Sequence, residues 1–193
     1  MEKTKLKGSL TEQNLLKAFA GESQAAARYR MYAKQARKDG YEAIARFFEE
    51  TMHNELRHGK IYFEFLQGGM VEITASYPAG IIGTTLENLA EGAQGEYDEW
   101  KVLYPSYSQV AKEEGFAAIA TKFSQIAAIE KTHMERFQGL YDTLKADRIF
   151  YKDVDTIWRC EECGHIYIGR EAPEKCPVCR HPQAFFEIKC DKW

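Results

Sequence analysis

Two short motifs, ELRH at 55–58 and EKTH at 130–133, each place a glutamate three residues before a histidine. On a helix those two positions share a face, so each motif can offer one carboxylate and one imidazole to a single cation. Glu22 and Glu96 add a lone glutamate on each of two other segments. Together these residues, Glu22, Glu55, His58, Glu96, Glu130 and His133, could hold two metal ions inside a helical bundle, an arrangement known for carboxylate-bridged di-metal sites. ETMH at 50–53 has the same spacing, but His53 falls beside Arg46, Glu49 and Arg57 on a charged face and reads as a solvated histidine.

The elements that must position these groups are helices. Residues 10 to 145 carry apolar side chains at three- and four-residue steps in four long segments. The stripes run Leu15, Phe19, Glu22, Ala26, Tyr29; then Ile44, Phe48, Glu55, His58, Tyr62; then Leu89, Ala93, Glu96, Trp100, Leu103, Tyr107; then Phe123, Ile126, Glu130, His133, Phe137. Each stripe has a carboxylate near its middle. Four ionised glutamates meeting in one core would cost on the order of several kcal/mol each unless something neutralised them. The breaks at Asp39-Gly40 and Glu114-Gly115 fit only antiparallel neighbours, whereas residues 68–83 can cross the bundle. The expected fold is an all-α ferritin-like four-helix bundle with one long crossover.

The chain also resembles itself. TEQNLLKAFAGE (11–22) matches TLENLAEGAQGE (85–96) at an offset of 74, and DGYEAIARFF (39–48) matches EGFAAIATKF (114–123) at 75. Glu55 pairs with Glu130 and His58 with His133. The second half therefore holds one extra residue between Glu96 and Ala111. Inside the helix it would form a π-bulge, a feature frequent at functional sites; near Pro105 it would fall where the hydrogen-bond ladder is already broken. GEYDEW (95–100) contains Glu96, Asp98, expected to face solvent, and Glu99, which lies one turn from Glu96 and has only Ala25 or Gln24 opposite it.

All five cysteines lie at or after residue 160. Cys160, Cys163, Cys176 and Cys179 form two C-x-x-C knuckles, the donor set of a tetrahedral S₄ metal site, iron or zinc. Cys190 is left as a spare thiol, and His165 and His181 are not needed as ligands. The composition breaks near residue 150, giving a helical domain over 1–150 and a small metal-bound β domain over 151–193, with Trp158, Tyr167, Phe185 and Phe186 as its expected core.

The formal net charge of -3 offers no footprint for nucleic acid. No run of 18 apolar residues predicts a membrane span, and the first residues have no apolar h-region, so a cytoplasmic protein is expected. Neither GREAP (169–173) nor the loop at 79–83 is a phosphate cradle, and no dinucleotide fingerprint is present.

FAGESQA around Glu22, NELRH (54–58), GEYDEW with LYPSY downstream, IEKTH (129–133) and the C-x-x-C-G and C-P-x-C-x-H-P knuckles resemble the rubrerythrin family over essentially the whole chain. That resemblance implies a di-iron site held by Glu22, Glu55, His58, Glu96, Glu99, Glu130 and His133, with Glu55 and Glu130 bridging. Glu22 would be terminal on one iron, Glu96 and His133 on the other. It implies one further iron on Cys160, Cys163, Cys176 and Cys179, a rubredoxin-like FeS₄ domain, and supporting tyrosines at Tyr29 and Tyr104. It also implies a homodimer in which the FeS₄ unit of one chain lies near the di-iron site of its partner. The implied activity is reduction of hydrogen peroxide to water in oxidative-stress defence. Electrons would come from an external donor such as rubredoxin or a reductase. The alternatives are a ferroxidase or iron-handling role, and a structural zinc ribbon that recruits a partner. One position on the iron pair has a choice between anionic Glu99 and neutral His58; oxidation should favour the carboxylate and reduction the imidazole.

Overall fold

The computed structural model describes residues 5–190. Helices α1 (Leu10–Lys38) and α2 (Glu42–Phe65) form one hairpin. A second is formed by α3 (Thr85–Asp98), a π-helical turn (Glu99–Leu103), α4 (Tyr104–Glu113) and α5 (Ala117–Lys145). The tight turns end in left-handed Gly40 (φ 88°) and Gly115 (φ 84°), a conformation a Cβ would penalise. Residues 66–84 carry no regular structure and supply the crossover. No described helix is long and apolar enough to cross a membrane.

The extra residue of the second half lies in the π turn, where the Tyr104 N–H reaches back five residues to the Glu99 carbonyl. Pro105 follows at once and has no N–H to place in the ladder. The insertion shifts the downstream stripe by one position, which corrects the expected one. Tyr104, Ser108 and Ala111 are buried, whereas Leu103 is exposed and Tyr107 only half-buried. Trp100 is also only half-buried, with the Lys101 and Lys131 ammonium groups over its ring.

The two hairpins cap each other reciprocally. Asp39 Oδ2 accepts from the Thr85 amide and hydroxyl at the start of α3, at 2.9 and 2.6 Å. Its repeat mate Glu114 accepts from the Thr11 amide and hydroxyl at the start of α1, at 2.8 and 2.6 Å. The apolar core divides into two clusters. Tyr29, Tyr32, Phe48, Leu89 and Phe137 anchor one; Leu15, Tyr62, Tyr104, Phe123 and Ile126 anchor the other.

After α5 the chain forms an antiparallel sheet of order β2-β1-β3, from β1 (Tyr151–Cys160), β2 (Ile166–Glu171) and β3 (Phe186–Ile188). Its core is Trp158, Cys160, Ala172, Cys176 and Phe186, with Phe150 and Phe185 packed against it. Tyr167, expected there, stands opposite Trp158 but on the edge strand β2, where its ring lies over Gly169 and stays exposed. This unit meets the bundle at the start of α2. Tyr41 stacks on Phe150 at 6.0 Å, and Arg46 pairs with Glu161 and Glu187.

Partial burial pushes the Asp39 and Glu114 carboxyls up, but the bonds from Thr85 and Thr11 outweigh it and hold both below the usual range. Groups with depressed folded pKa values stabilise at neutral pH, and the contribution is lost as pH falls through those values. Asp39→Ala and Glu114→Ala should each cost about 1 kcal/mol, as lost helix caps do. Calorimetry at pH 7 should show each lowering Tm by roughly 2–4 °C, with a smaller difference from the parent in acid.

Candidate metal centres

Two clusters of donors occupy the layer between the two apolar cores. Glu22, Glu55, His58 and Glu130 form one, and Glu55, Glu96, Glu130 and His133 the other; within each, the donor atoms lie inside 4.8 Å of one another. The four glutamates are fully buried, and the histidines are 5% and 4% exposed. Glu55 and Glu130 belong to both clusters and split their oxygens between them. His58 Nδ1 lies 3.0 Å from Glu55 Oε2 and 2.9 Å from Glu130 Oε1. His133 Nδ1 lies 3.1 Å from Glu55 Oε1 and 2.9 Å from Glu130 Oε2. That is the disposition two bridging carboxylates require.

The donors fit a pair of cations. Glu22 Oε2, Glu55 Oε1, Glu96 Oε2 and both Glu130 oxygens are buried, and apart from close contacts with the two imidazoles they have no donor facing them in good hydrogen-bond geometry. Five buried carboxylate oxygens facing only two imidazoles leave acceptor capacity that metal ions would fill. The phenols hold the terminal carboxylates across the repeat: Tyr29 donates to Glu96, and Tyr104 to Glu22. Burial pushes both phenol pKa values well up, so they stay neutral donors.

Six of the seven carboxylate and histidine positions singled out in the sequence are thus brought together. Glu99 stands outside both clusters, at the edge of a cavity beside them, with Oε1 3.4 Å from the Tyr104 hydroxyl. Asp98 is exposed and accepts from Gln94 at 2.9 Å. His53 is exposed, its ring against the Glu49 carbonyl at 2.7 Å. Arg28, buried in the cavity wall, escaped the sequence reading. The only available signal was a cation beside Tyr29 on an otherwise apolar face.

The second centre gathers Cys160, Cys163, Cys176 and Cys179. Sγ–Sγ distances of 3.6 Å for Cys160–Cys179 and Cys163–Cys176 approach the roughly 3.8 Å edge of a tetrahedron with ~2.3 Å metal–sulfur bonds. The knuckles are near copies. Gly164 and Arg180 follow the second cysteine of each with φ of 75° and 68°, and their amides donate to the Cys160 and Cys176 carbonyls. Burial raises the Cys176 thiol, but the amides of Cys179 and Val178 bring it down to about 6. The His165 and His181 amides point at Cys163 and Cys179, although burial and neighbouring thiols leave both of these raised, and neither imidazole belongs to the donor set. Cys190 is exposed.

Without metal, the buried acids and histidines neutralise one another. Burial raises Glu22 well above the usual range, and Glu96 to about 8. Burial opposes charge on Glu55 too, but bonds from His133 and His58 hold it at about 2. Burial also lowers His58 and His133, yet their carboxylate partners lift them to about 9 and 12. At neutral pH these groups must lose protons before they ligate. Anaerobic addition of a divalent cation to metal-free protein in weak buffer should therefore release protons, and apparent affinity should rise with pH. A pH-stat titration measures both.

Family models agree with this geometry. The model described as Rubrerythrin matches residues 13–141, and that described as Rubrerythrin, rubredoxin-like domain matches 158–187. The chain is 50% identical over 182 residues to Rubrerythrin of Porphyromonas gingivalis, covering 94% of this chain and 91% of that protein. It is 47% identical over 188 residues to Rubrerythrin of Nitratidesulfovibrio vulgaris, covering 97% and 98%. Among solved structures, the fully reduced, all-ferrous state of nigerythrin superposes with a TM-score of 0.63 at 36% identity, covering 94% of this chain and 87% of that one. A Desulfovibrio desulfuricans bacterioferritin, at 21% identity and a TM-score of 0.62, shares the bundle fold. A duplicated bundle with the donors of a di-iron site, followed by a rubredoxin-like Cys₄ unit, places this chain in the rubrerythrin family.

Proposed function

We propose that the protein reduces hydrogen peroxide to water in the cytoplasm, working as a homodimer and drawing electrons from an external donor such as rubredoxin or a reductase. The observation that carries the reading is the pair of four-donor clusters sharing Glu55 and Glu130, in the same chain as a Cys₄ site. Bound iron would supply the redox chemistry: two electrons from the carboxylate-held pair for the O–O bond, returned singly from the thiolate-held ion.

The chain's own residues set the geometry for H₂O₂ + 2e⁻ + 2H⁺ → 2H₂O. Glu55 and Glu130 would bridge, Glu22 would end one cluster, and Glu96 with His133 the other. Tyr29 and Tyr104 fix the terminal carboxylates through their hydroxyls, so neither can rotate freely away. The apolar cores on either side exclude bulk water from the bridges. Glu99 and His58 are alternative donors to one position, an anion suited to the more highly charged oxidised pair and a neutral imidazole to the reduced one. The structure holds His58 inside a cluster and Glu99 outside both.

Three experiments test these readings. Aerobically purified protein should be red and bleach with dithionite; a colourless S₄ site would favour a structural zinc ribbon. In stopped flow, peroxide should reoxidise the reduced centres faster than oxygen does, and the reverse order would favour an iron-oxidising role. In paired crystal structures, oxidised protein should carry Glu99 on the metal and reduced protein His58. Retention of Glu99 after reduction would refute the exchange.

A further inference from the structure

A cavity of about 370 Å³ separates α1 from the π turn, under residues 74–78 of the crossover. The Tyr77 hydroxyl fastens that cover to the Lys17 carbonyl at 2.8 Å. Two glycines line the cavity. A Cβ on Gly21 would stand 3.7 Å from Glu99 Oε1, and one on Gly95 would stand 3.7 Å from Arg28 Nη2. Glu99 therefore lies over one glycine and the Arg28 guanidinium over the other. Gly95 and Glu99 are one helical turn apart, a separation of about 5–6 Å between side-chain origins, within reach of a rotating glutamate.

Arg28 is only 9% exposed. Its Nε donates to Gln24 at 2.8 Å, and its buried Nη1 has no hydrogen-bond partner. A buried guanidinium with an idle donor is costly unless an acceptor completes it. Asp98, the other acid lining the cavity, is exposed and bonded to Gln94, so Glu99 is the acid with more to gain from a buried cation. The duplication gives neither residue a mate. Glu99 faces Ala25 or Gln24 in the first half, and Arg28 faces Val102 or Leu103 in the second. Lys17 and Asp98 line the same cavity and lack such mates too, but Arg28 is its buried cation and Glu99 its less exposed acid.

We propose that Arg28 is the resting partner of Glu99, a positioning residue that receives the carboxylate when it is withdrawn from the metal cluster. The proposal rests on the reading of Glu99 and His58 as alternative ligands. Arg28 would complete its idle Nη1 with the withdrawn carboxylate, and the cavity gives the side chain room to swing without displacing the crossover.

The test is a double-mutant cycle on the iron-loaded protein, reading the di-iron midpoint potential by spectroelectrochemical titration. Arg28→Gln should lower the potential, because Glu99 would no longer be held off the reduced pair. Each tenfold loss in that equilibrium corresponds to about 30 mV for a two-electron couple. In a Glu99→Gln background, Arg28→Gln should add no further shift. Arg28→Lys, which keeps the charge without the planar fork, should shift it less. Crystals of the zinc-loaded parent should place Glu99 against Arg28, and those of Arg28→Lys should show the pairing loosened, which provides a reading if Arg28→Gln fails to take up iron. Equal shifts in both backgrounds would make Arg28 a plain background charge and overturn the proposal, as would no shift in either. If Glu99→Gln alone left the potential of the parent unchanged, the ligand-exchange reading would fail first.

Discussion

Burying four glutamates at one level of a helical bundle is the constraint on which the rest of this structure depends. Hydrocarbon cannot satisfy carboxylates, so that level must be filled by cations, by imidazoles or by protons. The apolar core divides around it, with aromatic clusters above and below. Each remaining donor serves the same layer: the histidines bring nitrogen into each cluster, and the tyrosine hydroxyls fix the oxygens that face away. Removing any one member would leave buried charge unanswered, which is why the cluster reads as a unit.

Duplication supplies much of that satisfaction reciprocally. Tyr29 reaches Glu96 while its mate Tyr104 reaches Glu22, and Asp39 caps the helix of Thr85 while Glu114 caps that of Thr11. Each hairpin therefore completes the other. The departures from this symmetry gather on one side. The π turn, Glu99 and Arg28 all border the cavity beneath the crossover. A symmetric frame holds Glu55 and Glu130 between the two clusters, and the asymmetric wall stands beside them.

The Cys₄ unit solves a different problem. With so few residues it has a small apolar core, and two of the five core members are themselves cysteines. Thiolates and the amides that point at them replace the missing hydrophobic mass. It meets the bundle through Tyr41 and Arg46. Arg46 precedes Glu55 by nine residues, about 13–14 Å along α2, so this contact lies towards the end of the bundle and not at the carboxylate layer.

Periodicity made the helices, their antiparallel pairing and the four carboxylate-bearing stripes legible in the sequence, because burial of one face leaves a 3.6-residue signature. Comparison of the halves located the extra residue between Glu96 and Ala111, and C-x-x-C spacing alone defined the S₄ donors, since a knuckle is a local structure. Three things needed the fold. The π turn moved burial from Leu103 and Tyr107 to Tyr104 and Ser108, because one inserted residue rotates every later side chain by about 100°. Tyr167 left the small core although it stands directly opposite buried Trp158, because β2 is an edge strand that nothing covers. Arg28 came to share a cavity with Glu99 only through the packing of α1 against the π turn. The sequence by itself determined which donors exist and on which helix faces they stand, because those are matters of local spacing. Tertiary structure alone decided that Glu55 and Glu130 divide their oxygens between two clusters and that Glu99 stands aside, because those distances are set between helices far apart in the chain.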